Sequence, residues 1–181
     1  MNSDRLIALL HRASAIEFGE FTLRGGEKTN FFIDAEKLVD HPEIFQTLVS
    51  EFTRKLKNVR IDIIVGVANG GIPFAQATAH TLSSTRGCEV PWIEAAKLPD
   101  GTFYIPRSSM NINLGYAFVL DDVGTTGSGV RATLDALFAR QGSPTGVGYF
   151  IKRGNITSAN VNGVKKLITL NEEPLENFLS E

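Results

Sequence analysis

One cysteine, Cys88, stands in 181 residues. That scarcity excludes an intrachain disulfide framework and a zinc site built on cysteines, and it suits a reducing compartment. No block of lysine and arginine occurs, and the formal charge is −2. A broad nucleic-acid-binding face is therefore not expected, and any contact with a polyanion should be small and local. No charged-then-apolar leader pattern opens the chain, and no apolar run approaches the length that spans a bilayer. The expectation is a cytoplasmic protein with no membrane and no nucleic-acid partner. Its glycine-rich stretches also lack a following Walker lysine and do not form G-x-G-x-x-G, which weakens nucleotide-triphosphate and dinucleotide readings.

What is present is an ordinary globular composition, 43% hydrophobic and 21% charged, sufficient for one domain with a sizeable core. Residues 3 to 15 read as a packing helix with Ser3 as its cap and His11 on its surface. Residues 18 to 34, F-G-E-F-T-L-R-G-G-E-K-T-N-F-F-I-D, read as a hairpin turning at Gly25-Gly26, in which Phe31 and Phe32 point to opposite faces. A helix from Pro42 to about Lys57 follows. Ile61 to Val67 is the near-continuous apolar run of a parallel strand covered on both sides. It leads through A-N-G-G into a helix from Ile72 to about Leu82. A strand over Glu89 to Ala95 precedes residues 97 to 115, which read equally as a mobile lid or as a surface hairpin with a strand over 102 to 105. Further on come a helix from about Ser128 to Arg140 stopped at Gly142, strands at 145–151 and 164–170, and a short helix from Pro174 to Leu179. This order gives the α/β class, with an open, mainly parallel sheet flanked by helices.

The chemistry concentrates between Tyr116 and Arg131, Y-A-F-V-L-D-D-V-G-T-T-G-S-G-V-R. An apolar strand runs out at Asp121 and Asp122, a loop of glycines and hydroxyl residues follows, and a helix begins. Backbone N–H groups of such a loop can turn toward one anion, and the helix N-terminus adds unpaired donors and its positive dipole end. Thr125, Thr126 and Ser128 add hydroxyls, and the two carboxylates can accept hydrogen bonds from a sugar diol. A phosphorylated ribose fits this layout better than the alternative of a plain turn with a helix cap. Asn69-Gly70-Gly71 and Lys152-Arg153 also follow strands, so they can converge on the same rim.

V-L-D-D-V-G-T-T-G-S resembles the 5-phosphoribosyl-1-pyrophosphate (PRPP) signature of type I phosphoribosyltransferases. The 18–34 segment is similar to the hood of the orotate branch, and G-V-A-N-G-G-I-P, G-V-G-Y-F-I-K-R and L-I-T-L fall in that family's order. The resemblance implies a type I phosphoribosyltransferase fold. Residues 1–35 and 164–181 would form the hood and 36–163 the core of a single 1–181 domain, with 97–115 as a possible mobile loop. It implies PRPP-dependent transfer to a nucleobase, with orotate favoured. A PRPP-binding protein with weak turnover and an enzyme for another base are the alternatives. Thr125, Thr126, Gly127, Ser128 and Gly129 would hold the 5-phosphate, Asp121 and Asp122 the ribose hydroxyls and, indirectly, Mg2+, and Asn69 and Gly70 the pyrophosphate. Arg24, Phe31, Phe32, Thr125 and Arg153 would border the base. A homodimer is also implied, because the family's loop often acts in a partner's site. That loop normally carries Arg-Lys, a further Lys and a His. Aligned without gaps, A-A-K-L-P-D-G-T-F-Y keeps only Lys97 as a catalytic cation, with Asp100 near the lysine's place and Thr102 near the histidine's. Gly70 stands where the family usually has a lysine.

Overall fold

The computed structural model describes residues 1–22, 26, 28–106, 114–161, 164 and 166–179. Ser3–Arg12 forms α1, followed by the antiparallel hairpin of β1 (Ile16–Thr22) and β2 (Lys28–Ile33). Helix α2 spans Pro42–Lys55. Then come β3 (Ile63–Val67), α3 (Gly71–Arg86), β4 (Trp92–Lys97), β5 (Phe103–Tyr104), β6 (Tyr116–Gly124), α4 (Ser128–Ala139), β7 (Ser143–Lys152), β8 (Leu167–Thr169) and α5 (Glu176–Leu179). The six strands from β3 onward lie in the order β5-β4-β3-β6-β7-β8. All neighbours are parallel except β4 and β5, as the α/β reading expects. Among the described residues, no helix is long and apolar enough to cross a membrane.

Every residue of β3 is buried, because each face of the sheet is covered by its own core. On one face α1, α2, α3, the hairpin and the C-terminal segment pack together around Phe52, Phe74, Phe118 and Phe150. The Phe52 ring stacks on Phe150 at 4.5 Å and meets Phe118 edge-on at 6.4 Å, the offset and edge geometries that aromatic quadrupoles favour. On the other face α4 buries Val130, Leu134 and Leu137 against Val65, Val119 and Val147. The two crossover helices next to the sheet centre, α3 and α4, therefore leave from adjacent strands to opposite faces.

Several boundaries differ from the sequence expectation for local reasons. Asn2, not Ser3, caps α1: its side-chain oxygen accepts from the Arg5 N–H at 3.1 Å. Helix α1 stops at Arg12 because Ser14 turns left-handed (φ 52°) and the Ala15 N–H bonds back to Leu10. β4 is shifted to Trp92–Lys97, where it lies parallel to β3 and its last residues pair with β5. The hairpin alternative for the start of 97–115 is thus the one observed, while 107–113 lie outside the described residues. β6 continues through the aspartates to Gly124 instead of ending at them, since β7 pairs with it as far as Gly124–Lys152.

Asn171, fully buried, fastens the C-terminal segment to the end of β7. Its side chain accepts from the Lys152 N–H (2.9 Å) and donates to the Lys152 and Glu173 carbonyls (2.7 Å each). Phe52→Ala should cost about 3–5 kcal/mol by emptying the aromatic centre. Urea unfolding should show it as a lower midpoint with an unchanged slope.

Candidate functional site

β3 and β6 are hydrogen-bonded neighbours only as far as Gly66–Leu120. Beyond that point β3 turns into α3 through Ala68, Asn69 and Gly70, whereas β6 runs on against β7. The departure of the two chains opens a cleft of about 650 Å³ at the C-terminal ends of the strands. This is the switch point at which open α/β sheets bind ligands.

Asp121 and Asp122 lie on the projecting part of β6. Each carboxylate accepts from the next backbone N–H, that of Asp122 at 3.0 Å and that of Val123 at 2.7 Å. Both residues line the cleft, and the Asp122 carboxylate keeps further lone pairs for a ligand there. Across the cleft, the Asp122 carboxylate sits directly on the Cα of Gly70, so a Cβ at position 70 would overlap it. Gly71 is equally constrained: a Cβ there would come within 2.6 Å of the Leu120 carbonyl oxygen. The Ala68–Asn69 peptide in this turn is cis.

The loop after β6 leads into α4 through Gly127, which adopts a left-handed φ of 74°. Arg131 steadies the loop by donating from Nη1 to the Thr126 carbonyl (2.8 Å), and the Arg131 N–H bonds to the Gly127 carbonyl. Thr126 Oγ1 donates to Ser128 Oγ at 3.3 Å. Thr125, Thr126, Gly127, Ser128 and Gly129 all line the cleft, with the N-terminus of α4 behind them. That arrangement presents unpaired backbone donors to an anion.

The hairpin forms another wall. Phe32 faces the cleft, 41% exposed and 5.7 Å from the Phe21 ring. Phe31 is a correction to the expected pair: it is fully buried in the core, since alternate strand residues face opposite ways. The Arg153 guanidinium stacks 4.7 Å over its ring. Arg153, only 2% exposed, also donates from Nη2 to Thr29 Oγ1 at 2.8 Å, joining the end of β7 to the hairpin while it lines the cleft. Arg24 lies outside the described residues.

The last wall comes from the β4–β5 region. Lys97 lines the cleft with its ammonium 5.8 Å from the Phe103 ring. Asp100 closes its own turn instead of facing a ligand. Its carboxylate accepts from the Thr102 hydroxyl (2.7 Å) and N–H (2.9 Å), which holds it below the usual carboxylate range. Among the described lining residues, Asp34, Glu36, Asp121 and Asp122 face only Lys97 and Arg153 as cations. The cleft thus gathers Asn69, Gly70, Lys97, the aspartate pair, the hydroxyl loop, Phe32 and Arg153. Sequence reasoning passed over Tyr149 and Phe103, which also line it. The only signal for Tyr149 was a polar tip in the otherwise apolar and glycine run Gly146–Ile151.

No protein-family model matches the chain. It is 30% identical over 149 residues to the orotate phosphoribosyltransferase of Pyrobaculum calidifontis, spanning 82% of this chain and 75% of that protein. To the orotate phosphoribosyltransferase of Sulfolobus acidocaldarius it is 34% identical over 117 residues, 65% of this chain and 56% of that protein. Its fold is similar to orotate phosphoribosyltransferase from Aeropyrum pernix, with a TM-score of 0.76, 21% identity and 96% of each chain covered. It is also similar to adenine phosphoribosyltransferase from Saccharomyces cerevisiae, with a TM-score of 0.60, 20% identity and 91% and 99% covered. Removing the Arg153 charge while keeping its stem, as in Arg153→Met, should loosen the hairpin. Amide exchange over Lys28–Ile33 should quicken by about fivefold, the equivalent of one lost hydrogen bond, with β3 and β6 unchanged.

Proposed function

The chain belongs to the orotate phosphoribosyltransferase family, and on that premise we propose that it joins orotate to the ribosyl phosphate of PRPP, releasing pyrophosphate. The observation that carries this reading is the aspartate pair projecting beside a hydroxyl-and-glycine loop at the N-terminus of α4. The loop Thr125–Gly129 takes the 5-phosphate on its backbone donors and hydroxyls. Asp121 and Asp122 take the ribose hydroxyls, and Asn69 and Gly70 offer the pyrophosphate their backbone. Arg153, beside Phe32 and Thr125, suits a base bearing a carboxylate, because a guanidinium forms forked pairs with carboxylates. The adenine enzyme's likeness supports the same fold for a different base, so the base is assigned from the family and from Arg153, not from the fold.

In the transfer a ring nitrogen donates its electron pair to the anomeric carbon as the carbon–oxygen bond to pyrophosphate breaks. The pyrophosphate leaves with that bonding pair. The chain's contribution is to hold both ends of PRPP in line with the base and to keep carboxylates near the sugar as positive charge develops on it.

Mg2+ fits the donor set. Two adjacent carboxylates face the cleft, and among the described residues no group of three or more His, Cys, Asp or Glu side chains could cage an ion. An ion held here would complete its shell with water and substrate oxygens, the manner in which Mg2+ accompanies phosphates. When bound it supplies positive charge to a polyanion that would otherwise meet an excess of carboxylates.

Lys97 is the catalytic cation of the loop in this reading, and a homodimer in the cytoplasm is proposed from the family likeness. The second reading, a PRPP-binding protein with weak turnover, draws on Asp100. Its carboxylate is tied into its own turn, close to where the family places a lysine.

A panel of nucleobases supplied with labelled PRPP and Mg2+ tests both readings. Pyrophosphate release with orotate is the expected result, whereas PRPP binding by calorimetry without product on any base favours the second. Asp122→Asn should weaken PRPP binding by about tenfold or more while leaving the thermal midpoint nearly unchanged; unaltered affinity would remove Asp122 from the site. Lys97→Ala should lower kcat by about a hundredfold or more, the scale seen when one charge-stabilising donor is deleted.

A further inference from the structure

We propose that the Tyr149 hydroxyl donates a hydrogen bond to the phosphate held by the Thr125–Gly129 loop, making Tyr149 a binding residue for the phosphoribosyl end of the substrate. The inference rests on the phosphoribosyl reading above and adds a residue to it.

Tyr149 stands on β7 opposite Asp121 and is fully buried, yet its hydroxyl has no hydrogen-bond partner among the described residues. A buried donor left unmade is costly, so each such group calls for a reason. Phenylalanine, present at the next position as Phe150, would fill an apolar slot without that cost. The hydroxyl is therefore surplus to packing.

Its position supplies the reason. The phosphate loop is draped along the ring from end to end. A Cβ on Gly124 would meet the ring's Cγ at 2.8 Å, and a Cβ on Gly127 would lie 3.2 Å from the hydroxyl oxygen. The ring is thus the floor of the loop, and its polar tip lies under the residue that leads into α4. The other side chains nearest that point, Ile156 and Val161, are apolar. Tyr149 also lines the cleft that the anion would enter.

The group keeps its proton and so remains able to donate. Burial, reinforced by the Asp121 charge and only partly opposed by Arg131, pushes its ionisation far above the ordinary phenol range. The proton therefore stays on the oxygen throughout physiological pH. A neutral donor fits a phosphate oxygen without adding charge to the floor of the loop.

Calorimetry on the full chain should compare wild type with Tyr149→Phe, using ribose 5-phosphate and inorganic pyrophosphate as separate probes. The apo thermal midpoint of each protein should be measured alongside. The variant should bind ribose 5-phosphate about tenfold more weakly, the scale of one hydrogen bond to a charged group. Its pyrophosphate affinity should be unchanged and its apo midpoint equal or higher, because an unsatisfied buried hydroxyl has been removed. Ribose 5-phosphate affinity within about threefold of wild type overturns the assignment while leaving the phosphoribosyl reading intact. Equal losses for both probes, together with a lowered midpoint, overturn it in favour of a structural tyrosine. A wild-type protein that binds no ribose 5-phosphate overturns the assignment and the phosphoribosyl reading together.

Discussion

Two neighbouring parallel strands that part company set the rest of this structure. β3 and β6 share a ladder through Gly66 and Leu120. One then turns into a helix on one face of the sheet, while the other continues with β7 and later sends its helix to the opposite face. That separation brings two helix N-termini to one cleft, exposes one edge of β6 where the aspartates lie, and leaves room between them for a ligand. The aromatic core on one side and the aliphatic core on the other hold this geometry.

The contact of Asp122 with Gly70 bears on the chain's lack of a cation in this turn. By resemblance, a lysine belongs just before Gly71. Here the Asp122 carboxylate occupies the space that any side chain at position 70 would need for its first carbon. A cation from this turn and the present placement of Asp122 are mutually exclusive. The cleft therefore has more negative than positive side chains among its described lining, and the entry of a highly charged phosphate ester depends on counter-charge brought with it.

Much of this was legible from short-range signals. The fully buried run at Ile63–Val67, the aspartate pair and the hydroxyl loop all carry their structural meaning within a few residues. The parts that were not legible depend on distant partners. β6 runs past its aspartates because β7 continues to pair with it, which no local propensity encodes. The buried position of Phe31 was open between two facing aromatics until the core below the hairpin chose one. Asp100 could be placed near a catalytic position by alignment, but only its bonds to Thr102 reveal a turn-forming role. Tyr149 carried no such local signal, since nothing in the sequence discloses that its hydroxyl lies under Gly127.

The strands at the two margins of the large sheet, β5 with two residues and β8 with three, are its shortest. An open sheet is a template for another chain only where a long row of backbone groups is unpaired at its rim. Among the described residues the marginal strands themselves offer only such short rows, whereas the pairing of β4 with β5 covers Ala96 and Lys97 alone.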